Sequence, residues 1–252
     1  MDDTLDLARG WLAAADRTCV LTGAGMSAES GIPTFRDALT GLWSQFDPGQ
    51  LASEEGFRAD PALVWNWYAE RREGVRRAEP NAGHRALAAW SAQRPGRVTV
   101  VTQNVDDLHQ RAGQADVIRL HGDILAARWL QDCPRRPACD PAEAVDGTPP
   151  RCARQPGCGN LLRPGVVWFG ESLPEGAFEA AVRAAETCDV LLVVGTSGAV
   201  WPAAGLAGRA RLAGARVVIV NPQPSEIDDQ AHAVLRGTAA RLLPVLLAVG
   251  VA

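Results

Sequence analysis

The chain has no lysine. All 25 basic residues among its 252 are arginine, so no side-chain amine can carry an acyl group. Base composition of the genome is the plain explanation for that bias. Long apolar runs are missing too. No stretch reaches the roughly 18 residues that cross a bilayer, which excludes a membrane span. The start, MDDTLDLARGW, has neither the cationic end nor the apolar core of a signal peptide, which points to the cytoplasm. No basic cluster stands out, and the net charge is −4, which argues against nucleic acid as a partner. In a chain of this size without a secretory signal, disulfides are not the expected use of six cysteines. What is present suits a globule. An apolar fraction of 47% supplies a full core, and the length suits one large domain or one domain with a small insert.

Apolar, β-branched runs recur at Cys19–Leu21, Val98–Val101, Val117–Leu120, Val190–Val194 and Arg216–Val220. Helical patterns such as Phe178–Glu186 and Ala203–Leu212 lie between them. Continuous apolar strands alternating with helices predict a parallel sheet covered on both faces. The strands end in Thr22-Gly23-Ala24-Gly25, Thr102-Gln103-Asn104, His121-Gly122, Gly195-Thr196-Ser197 and Asn221-Pro222. Ligands of open α/β sheets bind beyond the carboxyl ends of the strands, so these small polar ends point to one shared site. Two stretches break the rhythm. Residues 31–81 insert helical material, including Pro61–Arg77. Residues 132–164 are rich in Cys, Pro, Arg and Gly, with no helical or strand period.

Gly23-Ala24-Gly25-Met26-Ser27-Ala28 fits the G-x-G-x-x-G/A fingerprint of dinucleotide folds. Its glycines let backbone approach a pyrophosphate, and a helix start after them would offer N–H groups and a positive dipole end. By itself the turn is equally a nucleotide site or an ordinary tight turn. Gly31 and Pro33 interrupt the helix and second strand that a standard unit would continue into. Gly195-Thr196-Ser197 adds donors, and Asn221 can reach a ribose. Cys133, Cys139, Cys152 and Cys158 are spaced C-x5-C, twelve residues, C-x5-C. They suit one tetrahedral, coordinatively closed zinc site, with a loop of unliganded thiols as the other reading. Cys19 and Cys188 read as core residues. Of four histidines, His84, His109 and His232 read as packing or surface residues. His121, at a strand end beside Gly122, is a candidate general base. Tyr68 and Arg71 share a helix face, which on the residues alone means an amphipathic helix with a snorkelling arginine.

Together these pieces resemble the sirtuin family of NAD-dependent protein-lysine deacylases. The resemblance rests on GAGMSAESGIPTFR (23–36), TQNVDDLHQRAG (102–113), RLHG (119–122), the four-cysteine stretch, RPGVVWFGE (163–171), GTS (195–197) and VNPQ (220–223), in family order. The Y-x-x-R of WNWYAERRE (65–73) resembles the subclass that removes acidic acyl groups. The paired cysteine spacings are longer than the usual family knuckles, and Gln223 stands where many members carry an acidic residue.

The resemblance implies an α/β fold: a Rossmann-like parallel sheet domain with a smaller zinc-binding and helical domain. Residues 1–30, 82–131 and 165–252 would form the NAD-binding part. Residues 31–81 would supply the cofactor loop and helical insert, and 132–164 the module for one structural zinc. Gly23, Ala24, Gly25 and Ser27 would cradle the diphosphate, with Phe35 and Arg36 in a loop closing over the nicotinamide ribose. Gln103, Asn104, Val105 and Asp106 would face the nicotinamide and its ribose, Asn104 also as a catalytic residue. Gly195, Thr196, Ser197, Asn221, Pro222, Gln223 and Ala239 would line the adenosine side. Val167, Trp168, Phe169 and Gly170 would belong to the strand that pairs with the substrate peptide and lines the acyl-lysine tunnel, and Tyr68 and Arg71 would meet the acyl group. The acyl oxygen would attack the ribose carbon as nicotinamide leaves, His121 would act as base on a ribose hydroxyl that attacks the resulting imidate, and water would then release the lysine. The products would be free lysine and O-acyl-ADP-ribose. The implied partners are acylated lysine side chains of proteins, with no nucleic acid and no membrane. The alternatives are a sirtuin-like protein ADP-ribosyltransferase and a non-catalytic NAD or ADP-ribose sensor. A hydride-transferring dehydrogenase lacks support, because the acidic residue after the second strand is missing.

Overall fold

The apolar runs fold into strands of one parallel sheet. The computed structural model describes residues 3–34, 47–131, 140–152 and 158–248. In chain order the elements are helix α1 (Asp3–Ala14), strand β1 (Thr18–Thr22), and helices α2 (Pro48–Leu51), α3 (Glu54–Ala59), α4 (Pro61–Arg77) and α5 (Ala82–Ala92). Then come β2 (Val98–Thr102), α6 (Leu108–Arg111), β3 (Val117–Arg119), β4 (Gly122–Trp129), β5 (Ala144–Val145), β6 (Arg151–Cys152) and β7 (Leu162–Val166). The chain ends with α7 (Glu175–Thr187), β8 (Val190–Val194), α8 (Gly205–Leu212), β9 (Arg216–Val220), β10 (Ala233–Leu235) and α9 (Ala239–Leu246).

The large sheet has the order β10-β9-β8-β1-β2-β3, all parallel. Its order reverses between β1 and β8, the switch point where a Rossmann-like sheet opens its ligand crevice. Thr22 pairs with Thr102 on one side and Val194 on the other, so three strands finish level at that point. Every residue of β1 and β8 is buried, as a sheet covered on both faces requires. Successive residues feed opposite layers. Val20 packs with Leu12, Leu87 and Leu243, whereas Leu21 packs with Ala181, Leu206 and Ile219. β10 is an addition to the expected strands.

Helix α4 has the bounds the sequence predicts. Asp60 caps it by accepting the Leu63 N–H at 2.9 Å, and Pro61 opens it with its fixed φ. Its apolar face joins a third core with Leu51, Phe57, Ile124, Val166 and Trp168. Antiparallel strands β4 and β7 cover that core. The stretch 132–164 was expected to lack strands, and here the structure differs. β5 pairs with β6, and β7 begins at Leu162. Pro164 and Gly165 inside β7 hide its strand character in the sequence. Among the described residues no helix is long and apolar enough to cross a membrane.

Candidate active site

The turn after β1 is held by β8. Gly23 N–H donates to Val194 O (2.9 Å) and Gly25 N–H to Gly195 O (2.8 Å). A Cβ on Gly25 would lie 2.8 Å from Gly195 Cα. One on Gly195, at φ +62°, would lie 2.4 Å from Met26 N. Two strand-end turns therefore touch backbone to backbone, and neither admits a side chain. The helix start expected after the glycines does not follow. Residues Ala24–Met26 and Ala28–Ser30 form two short 3-10 turns. The aligned dipole of a long helix is therefore missing, and an anion there would meet local N–H groups only.

The loop after β2 is pinned from three sides. Gln103 N–H donates to Thr22 O (2.9 Å), and its side-chain Nε2 to Thr196 Oγ1 (3.2 Å). Asn104 Nδ2 donates to Ser27 Oγ (3.1 Å), which donates to Asp106 Oδ2 (2.9 Å). Arg119 Nη2 donates to Val105 O (2.8 Å) and Asp106 O (2.9 Å), while its Nη1 pairs with Asp123 (2.8 Å). Asp106 is 5% exposed. Burial pushes its carboxyl above the usual range, against the pull of the Leu108 N–H, the Ser27 hydroxyl and Arg119.

His121 follows β3, and its Nδ1 lies 2.9 Å from Gln103 O. A carbonyl only accepts, so Nδ1 carries the proton and Nε2 keeps its lone pair. Burial lowers the His121 pKa, and the Gln103 carbonyl opposes that shift. The imidazole is therefore neutral at pH 7, the form a base needs. Gly122 beside it sits at φ +81°, and a Cβ there would fall 2.3 Å from Gly165 O. The glycine of RLHG thus packs β4 against β7 right behind the imidazole. His84 and His109 are buried with ring centroids 5.0 Å apart, as packing residues. Burial lowers them to about 4 and about 3.

Ser27, Gln103, Asn104, Val105, Asp106 and His121 border one cavity of about 280 Å³, which also takes in Ala24, Ile32 and Pro33. Tyr68 and Arg71 reach it from α4, and Val167, Phe169 and Gly170 from the other wall. The Arg71 guanidinium lies 4.7 Å from the Trp67 ring centroid, and burial lowers its pKa, with Tyr68 opposing. The Tyr68 oxygen accepts from Trp168 Nε1 at 3.1 Å. Burial is the largest influence on the phenol and pushes its pKa up to about 12, so it stays protonated. Residues 167–170 differ from the expected strand, because they lie just beyond β7. Val167 N–H donates to His121 O (2.9 Å), and Phe169 N–H to Ala52 O (2.8 Å) in a single isolated bridge.

The remaining expected residues lie apart from this cavity. Gly23, Gly25, Gly195, Thr196 and Ser197 sit at the ends of β1 and β8. Asn221 follows β9, and its Nδ2 donates to Gln223 O (2.8 Å) around Pro222. Ala239 opens α9 and is 3% exposed, with its carbonyl against Gly83. Cys152 and Cys158 pack with Trp129. Cys133, Cys139, Phe35 and Arg36 lie outside the described residues, and among the described residues no three metal-ligating side chains gather. Cys19 and Cys188 are buried core thiols raised by burial, the latter to about 11.

Residues 23–202 match the Sir2 family. The chain belongs to that family. It is 56% identical over 241 residues to the NAD-dependent protein deacylase of Ralstonia nicotianae, spanning 96% of this chain and 95% of that protein. The crystal structure of a Sir2 homologue–NAD complex is 40% identical, with a TM-score of 0.83 over 96% of this chain and 92% of that one. The structure of Sir2Tm bound to a propionylated peptide is 29% identical, with a TM-score of 0.80 over 98% of each chain. This Sir2 protein is accordingly an NAD-dependent protein deacylase with the Rossmann-like sheet of its family.

Three residues at or behind the Sir2 site were not among those expected: Arg119, Arg163 and Glu171. Each lies inside a quoted motif, RLHG or RPGVVWFGE, so a signal was present. Their contacts join distant segments, which is why the residues alone do not assign them.

Proposed function

We propose that this Sir2 enzyme removes succinyl and malonyl groups, as well as acetyl groups, from protein lysines, releasing nicotinamide and O-acyl-ADP-ribose. The observation that carries the acidic-acyl reading is the pairing of Tyr68 and Arg71 in the lining of the cavity, a protonated phenol beside a half-buried cation. The propionylated peptide of Sir2Tm supports an acyl-peptide substrate for the same fold. The residues present fit NAD. Glycines 23, 25 and 195 open the switch point, and Ser27, Asn104 and Asp106 form one hydrogen-bonded polar wall. NAD would supply a glycosidic bond whose nicotinamide can be displaced by the acyl oxygen. Asn104 and Asp106 orient the ribose and the carboxamide. His121 Nε2 takes the proton of a ribose hydroxyl, and Nδ1–H stays anchored on Gln103 O. Phe35 and Arg36, outside the described residues, would serve the nicotinamide ribose. Residues 195–197, 221–223 and Ala239 serve the adenosine side. Residues 1–30, 82–131 and 165–252 would serve as the cofactor part, residues 31–81 as cofactor loop and helical insert, and 132–164 as the zinc module. The test is to identify the nucleotide product by mass with succinylated, malonylated and acetylated peptides. O-acyl-ADP-ribose carrying each acyl group is expected; ADP-ribosylated protein or no nicotinamide would reject the reading.

Cys133, Cys139, Cys152 and Cys158 are proposed to hold one structural zinc, whose closed thiolate shell leaves no position for catalysis. Elemental analysis should find about one zinc per chain, as a single four-ligand site requires. Replacing Cys152, the buried member, should lower both metal content and thermal stability. Metal-free protein of full stability and activity would contradict the site.

The absence of lysine gives a further expectation. Incubation with acetyl or succinyl thioesters, then hydroxylamine to strip thioesters and esters, should leave at most one amide adduct, on the α-amino group. Intact-mass analysis showing several stable adducts would contradict it.

A further inference from the structure

Trp168, in the cavity wall, is held from several sides. Arg163, 2% exposed, forks onto both oxygens of Glu171, with Nη2 to Oε2 at 3.1 Å. Its guanidinium lies 3.3 Å from the Trp168 ring centroid, and its Nη2 also donates to Val166 O at 2.9 Å. Glu171 Oε2 accepts the Trp168 backbone N–H and Arg128 Nη2, both at 2.8 Å. Phe57 lies 5.3 Å from the indole, centroid to centroid. Backbone and ring are thus both fixed, and the ring edge presents Nε1 to the Tyr68 oxygen at 3.1 Å.

An indole N–H only donates, whereas a phenol both donates and accepts. The bond from Trp168 therefore uses the accepting side of Tyr68 and leaves its single proton for another acceptor. A phenol without that partner could turn its proton away from the cavity, or accept from a water there.

We propose that Trp168 is a specificity-determining positioning residue: its indole N–H commits the Tyr68 hydroxyl to donate toward the carboxylate of an acidic acyl chain, and the Arg163–Glu171 fork holds the indole in register. This rests on the acidic-acyl reading above. Arg163 and Glu171 thereby act on acyl choice through two intervening groups, without touching the acyl chain.

The experiment measures kcat/KM for succinylated and acetylated forms of one peptide. Wild type is compared with Tyr68→Phe, Trp168→Phe, their combination, and a protein carrying benzothienylalanine at position 168. That analogue keeps the ring stack on Arg163 and exchanges only the N–H for sulfur. Loss of the indole bond should lower the succinyl-to-acetyl ratio about fivefold, the usual size of one hydrogen bond. Combining Trp168→Phe with Tyr68→Phe should lower the ratio no further than Tyr68→Phe alone, because both act through one hydroxyl. An unchanged ratio with the analogue, equal losses on both substrates, or multiplying losses in the combination would overturn the proposal. If Trp168→Phe does not fold, the analogue decides by itself. A wild-type enzyme with no succinyl preference would overturn the acidic-acyl reading and this proposal with it. A wild-type preference that the analogue leaves intact overturns only the role of Trp168.

Discussion

Replacing His121 with alanine is expected to lower deacylation about 10²-fold or more, the usual scale for loss of acid–base help. The expectation follows from two atoms. Nδ1–H is committed to Gln103 O, so Nε2 is the nitrogen with a lone pair to offer. Burial depresses the imidazole pKa below the ordinary histidine value of about 6.5. The neutral ring is the active form, so activity is full above the depressed pKa and is lost as pH falls through it. The acid limb of kcat/KM should therefore lie below about 6.5 in wild type and vanish from the residual rate of His121→Ala. The imidazole makes one side-chain hydrogen bond, to Gln103 O, so thermal stability should change little. A well-folded variant with near wild-type turnover would remove His121 from the role of base.

Arg71→Met is expected to shift acyl preference by at least about tenfold in kcat/KM, with succinyl activity falling far more than acetyl activity. A hydrogen bond to a charged group is worth roughly 1.5–3 kcal/mol, and a guanidinium can offer two to one carboxylate. The Arg71 cation is already desolvated against Trp67, so a carboxylate entering the cavity meets it at little further cost. Methionine has similar length and no charge, and it keeps the helix. An acetyl group is too short to present a carboxylate at all. Equal losses on both substrates would make Arg71 a structural residue and end the acidic-acyl reading.

Much of this was legible in the sequence, for physical reasons. Strands β1, β2, β8 and β9 are buried on both faces and read as apolar runs. Helix α4 carries its own punctuation in Asp60 and Pro61. The polar strand ends named Gln103, Asn104 and His121 in the cavity wall, and the family resemblance added Asp106. What stayed hidden depends on contacts between distant segments. β10 is three residues long, too short to show a period. β7 contains Pro164 and Gly165, which read as breakers until β4 is seen beside them. Arg163 reads as a surface charge, yet it is nearly inaccessible because Glu171 and the Trp168 ring enclose it. The bond from Trp168 to Tyr68 joins residues 100 apart in the chain. The glycine turn also misleads in part. Gly25 and Gly195 are explained by each other as much as by a phosphate.

This Sir2 enzyme is proposed to take acidic acyl groups from lysine at the expense of NAD. The most direct measurement places equimolar succinylated and acetylated forms of one peptide in a single reaction with enzyme and NAD, and follows both by mass spectrometry together with nicotinamide. The account predicts that the succinyl peptide is consumed first, with one nicotinamide released per acyl group removed. Preferential loss of the acetyl peptide, or acyl removal without nicotinamide, would contradict it.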